Sequence, residues 1–584
     1  MAETNKGRAK QTFLQGALIL TSSMIVVKVI GALFKIPLGA ILGGDGMGYF
    51  TAAYTFYAPL YALATSGFPI AISRMVSENS TRKRFRDVRK IHKVSIPIFL
   101  ITGSIGFAIM VGGAFIYTGA VHNQNAIYAI LALAPTILFS CLMAIYRGYY
   151  EGMRNMFPTA ISEVIEACSK LLLGLGLSYG TIAFLMNEYH TAGTVLGRPM
   201  ANEELAKAEI MPIAAAAAIM GITIGSLFGF LFLILRHKIK GDGITKRELM
   251  ESPKPRANRA TVKVLVCTAI PIGLGAIVMN LANLIDSVLI QSRIYDIMNN
   301  NLSALLKACG GLIPETQIPT ANNFLLGCFG YASSIMMLVP AITQTFGISA
   351  LPSVTASWTG GDRREIKKSI ESVIRITCLV AIPAGLGIAF LANPILDLLY
   401  NSASRPAEVY IASKVLTIMG VSAVFAATST PLCSLLQAIG RVDLPVKLLS
   451  VGVLIKIVMN YVLVGIPEIN IQGAGTGSLF CYTFVTAAAF VLLCRQTKMR
   501  FDMVSIFIKP LVAALFCAVC AYAAQGLLSH VISSRLATMI GVTVAVIVYV
   551  IALFSLRAIT RDDVLMLPKG QKIAKILEKR KWIG

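Results

Sequence analysis

Apolar stretches of about 20 residues or more recur along nearly the whole of this 584-residue chain, each long enough to cross a bilayer as a helix. About fourteen are readable, near 12–41, 49–73, 94–118, 126–148, 158–185, 211–235, 262–291, 322–350, 370–392, 409–436, 446–465, 470–494, 505–526 and 534–557. Backbone polar groups in hydrocarbon must be satisfied inside their own segment or a closed barrel. Barrel strands alternate over about 10 residues, and these runs do not. The expected fold class is therefore an all-α polytopic membrane protein. Composition agrees: charged residues make up 14%, against about 25% in a soluble chain. The first run does not read as a cleavable leader, because it is long, contains Lys28 and Lys35, and lacks a small-residue cleavage site after a short apolar core. The eleven cysteines lie mostly inside spans and read as small buried residues, not as a disulfide frame or a metal site.

The formal net charge of +24 is distributed by side. Lys6, Arg8 and Lys10 precede the first span, and seven basic residues crowd 82–93. More follow at Arg147 and Arg154, 236–259, 363–368, Arg441 and Lys447, 495–500, and the tail 569–581. With fourteen spans, all of these fall on one face, while the alternate connections are nearly free of lysine and arginine or balanced by acids. That asymmetry predicts cytoplasmic termini. The basic connections are expected to hold topology and touch anionic lipid headgroups, with no role toward nucleic acid. The tail resembles a short amphipathic surface helix.

An internal repeat is visible at an offset of six spans. Gly67-Phe-Pro-Ile-Ala-Ile-Ser-Arg with its basic loop matches Gly347-Ile-Ser-Ala-Leu-Pro-Ser with Asp362-Arg-Arg-Glu-Ile-Lys-Lys. Each half later opens a span carrying a lysine at depth, Lys170 or Lys456. An even offset means a parallel repeat, an organisation found in transporters. The expected layout is an N-lobe over 1–235, a basic linker over 236–261, a C-lobe over 262–494, two further helices over 495–557 and a basic tail over 558–584. A central cavity would lie between two six-helix lobes.

Charges inside the spans carry the functional argument, since each costs about 2.5–3.5 kcal/mol at the bilayer centre. Glu163, Glu166 and Lys170 are spaced i, i+3 and i+7 and share one helical face. Glu166 and Lys170 have the order that favours an ion pair; the face is either a structural pair or the wall of a hydrated cavity. Lys28 and Lys35 share a face of the first span with no acid in reach on that helix. They either snorkel to an interface or meet an anion, and paired ammonium groups suit a polyvalent phosphate. Asp286 could pair with Lys456, or join Asn283 and Asn460 around a coupling cation. Gly43-Gly-Asp-Gly-Met-Gly48 reads as an external turn without a phosphate-loop lysine, and Gly473-Ala-Gly-Thr-Gly477 as a close helix contact. No nucleophile, base and oxyanion set is legible, so no enzyme and no cofactor is expected.

Three stretches then resemble one group: Ser22-Ser-Met-Ile-Val-Val-Lys-Val-Ile-Gly-Ala-Leu-Phe-Lys35, Arg147-Gly-Tyr-Tyr-Glu-Gly-Met-Arg-Asn-Met-Phe-Pro158 and Gln437-Ala-Ile-Gly-Arg441. The group is the multidrug/oligosaccharidyl-lipid/polysaccharide (MOP) exporter superfamily, and the chain looks most like its stage V sporulation protein B and YtgP branch, relatives of the MurJ lipid II flippases. The resemblance covers about 10–560. It implies two six-helix lobes forming a V, two extra helices, a central cationic cavity, and outward movement of undecaprenyl-diphosphate-linked sugars by alternating access.

Lys28 and, one residue out of register, Lys35 stand where MurJ proteins carry first-helix arginines. A second-helix arginine has no counterpart near Tyr61, and the eighth span lacks one too, so cavity charge would rest on Lys170 and Lys456. Asp286 and Asn460 resemble parts of a sodium site found in some MurJ proteins, which Lys456 argues against. The expected function is a monomeric flippase for a lipid-linked cell-wall precursor, lipid II first. Its substrate contacts would be Lys28, Lys35, Lys170 and Lys456; its cavity or coupling residues would be Glu163, Glu166, Asp286 and Asn460. Rival readings are a flippase for a teichoic, capsular or spore-cortex precursor, a cation-coupled drug exporter, and a non-transporting scaffold. Coupling to sodium, protons or the membrane potential stays open.

Overall fold

The computed structural model describes residues 13–62, 67–360, 363–441, 443–499, 501–556 and 558. The basic tail, where a surface helix is expected, lies outside the described residues. The first half contains α1 (Phe13–Ala62), α2 (Phe68–Thr81), α3 (Phe85–Ala120), α4 (Ala126–Gly152), α5 (Phe157–Ala192), α6 (Glu203–Lys240), α7 (Lys246–Glu251) and α8 (Asn258–Ala308). A small antiparallel ribbon, β1 (Thr194–Val195) and β2 (Arg198–Pro199), sits between α5 and α6. Then come α9 (Ala321–Met336), α10 (Leu338–Gly360), α11 (Arg363–Phe390), α12 (Ala392–Tyr400), α13 (Pro406–Ala438), α14 (Asp443–Val464), α15 (Gln472–Thr497), α16 (Lys509–Ser529) and α17 (Ser534–Ser555).

Among the described residues, twelve helical stretches are long and apolar enough to cross a membrane. One of them, Ser22–Ala62, takes in the first two predicted spans, and α8 carries the seventh. The protein is an all-α polytopic membrane protein.

Several connections differ from expectation. The turn expected over 43–48 is compressed into one residue, Gly43, whose positive φ (68°, ψ −173°) a side chain would oppose. The two arms of α1, 13–42 and 44–62, fold back on each other there. Phe34 and Tyr54 would stand about 30 Å apart on a straight helix, yet both rings lie within 5.6 Å of the Lys170 ammonium. Helix α2 carries Pro69 in its first turn, where a missing N–H costs nothing.

The 292–321 connection, expected as a loop, is helical as far as Ala308, with one break at Asn301. Its Asn299, Asn300 and Asn301 gave no hydropathy signal, but neither glycine nor proline interrupts it. Helix α6 likewise starts well before residue 211, because Asn202 accepts from the Leu205 N–H at 2.8 Å and Glu203 and Glu204 occupy its first turn.

By compactness the chain divides into a first unit, Met1–Ser292 with Thr316–Gly327, and a second, Arg293–Glu315 with Cys328–Gly584. The predicted lobes follow the sequence repeat; the compact units are drawn differently, with α8 up to Ser292 in the first. Buried hydrogen bonds explain that membership. Asn123 donates to Gln291 at 3.0 Å and to Asn323 at 2.9 Å, and Gln291 donates to the Tyr117 hydroxyl at 3.1 Å. Asn322 donates to the Val121 carbonyl at 3.0 Å, and Asn323 to the Asp45 carbonyl at 2.9 Å.

Within the first unit, α5 and α6 cross so closely that a Cβ on Gly221 would overlap the Gly174 backbone. Thr136 and Thr223 hydrogen-bond at 2.8 Å between α4 and α6. The 241–257 segment is tied to α3: Arg89 pairs with Asp242 at 2.7 Å, Arg86 donates to the Leu249 carbonyl at 2.9 Å, and Asp87 accepts from the Arg256 N–H at 2.8 Å. Part of the basic cluster in 82–93 thus has internal work.

The second unit packs α10, α11, α13, α15 and α16 around Val354, Ile370, Cys378, Leu432, Leu436 and Leu493. Helix α16 pairs with α17, and the Tyr549 hydroxyl donates to the Leu379 carbonyl at 2.7 Å.

Candidate functional site

The first unit carries a charged, partly open cavity of about 320 Å³. Its walls come from both arms of α1 with α4, α5 and α6: Lys28 and Tyr54, Tyr57 and Tyr61 from α1, Arg147 from α4, and Glu163, Glu166 and Lys170 from α5. The tyrosines recur at i, i+3 and i+7, so they stack along one face, with ring centroids 6.0 and 5.1 Å apart. Three cations and two carboxylates line the space, leaving an excess of positive charge.

Glu166 does not pair with Lys170. It accepts from the Arg147 guanidinium at 3.0 Å, across α4 and α5, and Arg147 also donates through Nε to the Ser162 hydroxyl at 2.9 Å. A bidentate-capable guanidinium outcompetes an ammonium when both reach one carboxylate. Both side chains are largely enclosed, 14% and 20% exposed. Glu163 accepts from the Ser23 hydroxyl at 3.1 Å, which ties α5 to the first arm of α1.

Lys170 stands about 20 Å along α5 from its start. Its ammonium lies 4.8 Å from the Phe34 ring centroid and 5.6 Å from that of Tyr54, over faces that attract a cation. Lys35, next to the fully buried Phe34, lies within electrostatic reach of Lys170 without lining the cavity.

The fold thus gathers Lys28, Glu163, Glu166 and Lys170 at one cavity. The other predicted residues lie elsewhere. Asp286 is buried in α8 in the first unit, beside Ser287, whose hydroxyl approaches that of Tyr117 at 3.4 Å. Lys456 and Asn460 belong to α14 in the second unit. Asn460 is fully buried at the crossing with α15, where a Cβ on Gly477 would overlap its side-chain oxygen. That glycine contact, like Gly473 against Leu463, is the close helix packing expected of the cluster.

Sequence reasoning missed Arg147, assigning it with Arg154 to a topology-setting connection. Its place before Glu151 and Gly152 at a helix end made it look interfacial. The available signal was its seven-residue distance from Arg154, about two helical turns, which sets it roughly one and a half turns inside the end of α4 at Gly152.

Residues 13–193 match the family model described as polysaccharide biosynthesis protein, and residues 324–462 match the MatE model. Lipid II flippase MurJ of Bacillus subtilis (strain 168) is 24% identical over 496 residues, covering 83% of this chain and 82% of that protein. Stage V sporulation protein B of the same organism is 23% identical over 584 residues, covering 96% and 98%. Among solved structures, lipid II flippase MurJ in an inward closed conformation aligns with a TM-score of 0.60 at 15% identity, over 92% of this chain and 98% of that one. An inward-facing multidrug resistance MATE family transporter of the MOP superfamily aligns at 0.61 and 14% identity, over 83% and 98%. Helices, cavity and alignments together define a multi-pass membrane transporter. The chain belongs to the MOP exporter superfamily, in the group related to stage V sporulation protein B and MurJ.

Proposed function

We propose that this protein is a flippase that moves an undecaprenyl-diphosphate-linked cell-wall precursor, lipid II first, from the inner to the outer leaflet of a bacterial plasma membrane. The observation that carries the reading is the cation excess of an aromatic-walled cavity, with Lys28, Arg147 and Lys170 converging on one space. A diphosphate is matched by ammonium and guanidinium donors, and sugar rings pack on tyrosine faces such as the Tyr54–Tyr57–Tyr61 ladder. The prenyl tail would stay in lipid.

The basic connections orient the termini toward the cytoplasm and meet anionic headgroups. Moving anionic charge outward is favoured by an inside-negative potential, at about 2.3 kcal/mol per charge per 100 mV. No cofactor or bond-making chemistry is needed; the potential or an ion gradient drives the cycle of a monomer. A drug exporter for cations is disfavoured by the same cation excess.

A second reading, a flippase for another lipid-linked polysaccharide precursor, is favoured by the match of residues 13–193 to a polysaccharide biosynthesis model.

The test is the amount of externally accessible lipid II in cells depleted of this protein and of any redundant flippase. Wild type and the Lys28→Ala/Lys35→Ala variant are then re-expressed. Loss of exposure with internal accumulation, rescued only by wild type, supports lipid II and the first-helix cations. Unchanged exposure on depletion removes lipid II and leaves the second reading.

A further inference from the structure

We propose that Arg147 is the cavity's guanidinium contact for the phosphate oxygens of the substrate, with Glu166 as an exchangeable counter-ion that the substrate displaces. The inference rests on the anionic-substrate reading above and names how that same site binds and lets go.

Arg147 is positioned independently of Glu166. Its Nε donates to Ser162 Oγ at 2.9 Å, and that hydroxyl is itself fixed by donating to the Thr159 carbonyl at 2.8 Å. Losing the carboxylate therefore leaves the guanidinium aimed. A guanidinium has five N–H donors; Ser162 and Glu166 take two, and the remaining three have no other hydrogen-bond partner among the described residues. Those three donors form the planar fork that matches a phosphate, and Arg147 lines the cavity.

Glu166 has somewhere to go. Lys170 is one helical turn further along α5, within i,i+4 reach, and among the described residues its ammonium makes no hydrogen bond and rests on the Phe34 and Tyr54 ring faces. When a diphosphate takes Arg147, the Glu166 carboxylate turns to Lys170, so Arg147 and Glu166 each keep a partner of opposite charge in either state. Glu163 stays with Ser23 and does not compete for Arg147 by hydrogen bond.

A carboxylate inside an anion site costs affinity. Its use is release: a diphosphate gripped by uncompensated cations would leave slowly. Glu166 restores the empty state by returning to Arg147.

The experiment is equilibrium binding of a short isoprenyl diphosphate, farnesyl diphosphate, to the full chain in nanodiscs, with farnesol as the uncharged comparison. Glu166→Gln should lower Kd for the diphosphate about tenfold and slow its dissociation, leaving farnesol unaffected. Arg147→Gln should raise Kd about tenfold. Glu166→Gln should gain far less affinity in the Arg147→Gln background than in wild type, since the exchange needs Arg147.

Because Arg147→Gln strands a largely enclosed carboxylate and can fail to fold, Arg147→Lys is the second variant; it should fold and still bind severalfold more weakly. If Glu166→Gln leaves Kd unchanged or raises it while Lys28→Ala and Lys170→Ala weaken binding, the exchange is overturned and the anionic-substrate reading stands. If neither wild type nor any variant discriminates the diphosphate from farnesol, that reading falls and the exchange with it.

Discussion

The Arg147 guanidinium holds the Glu166 carboxylate at 3.0 Å between α4 and α5, while the Lys170 ammonium, one turn beyond Glu166, rests on aromatic faces instead. Removing one member of a largely enclosed ion pair strands the other with little water. Arg147→Ala should therefore destabilise the protein by about 3 kcal/mol, the low end for such pairs because the cavity admits solvent. Arg147→Ala/Glu166→Ala should recover most of the loss. Unfolding of the purified variants in one detergent measures both; a double variant no better than the single would mean the pair does not act as a unit.

Lys170 pays for its depth in desolvation and regains part of it, about 0.5–2 kcal/mol, from the Phe34 and Tyr54 faces. Lys170→Met keeps the stem and removes the charge. Stability should stay within about 1 kcal/mol of wild type, while transport of an anionic lipid precursor into the outer leaflet should be lost. A large stability loss with transport retained in the folded fraction would assign Lys170 to the scaffold.

The helix α14–α15 crossing gives a test that does not involve transport. A Cβ at Gly477 meets the Asn460 side-chain oxygen, so Gly477→Ala overpacks a buried contact and should cost about 1–3 kcal/mol. Asn460→Ala/Gly477→Ala makes room and should be more stable than Gly477→Ala alone. If Asn460 instead belongs to a cation site, sodium should raise the unfolding temperature of wild type and not of Asn460→Ala.

The spans were legible because apolar runs report directly on burial in lipid, and the i, i+3, i+7 spacing of Glu163, Glu166 and Lys170 placed them on one wall. The partner of Glu166 was not legible. Local spacing offers Lys170, but the folded chain brings Arg147 from another helix, and no sequence pattern encodes a contact across nineteen residues of turn and helix. The reversal at Gly43 was half legible: its glycines announced a turn, but not that a single residue would make it and bring Tyr54 back beside Phe34. The helical stretch beyond residue 292 escaped because a polar helix carries no hydropathy signal. Nor does charge say which compact unit Asp286 or Lys456 joins.

Asp242, in the turn after α6, gives a pH prediction with a fixed sign. Burial raises its carboxyl, but hydrogen bonds from Arg89, the Ile244 N–H and Tyr149 outweigh that and hold it below the usual carboxylate range. A carboxyl depressed in the folded state contributes stability that is present above its unfolded value, about 3.9, and is lost as pH falls through the folded value. Asp242→Asn should therefore cost about 1–3 kcal/mol by the same amount at pH 8 and pH 6, with the gap to wild type closing only below about pH 4. Thermal unfolding of both proteins at pH 8, 6 and 3.5 reads this. Tyr150, His92 and His237 lie within electrostatic reach of Asp242, and His237 stacks on His92 with ring centroids 4.8 Å apart. A gap that already narrows between pH 8 and pH 6 would assign the pH dependence to that histidine pair and not to the Asp242 carboxylate.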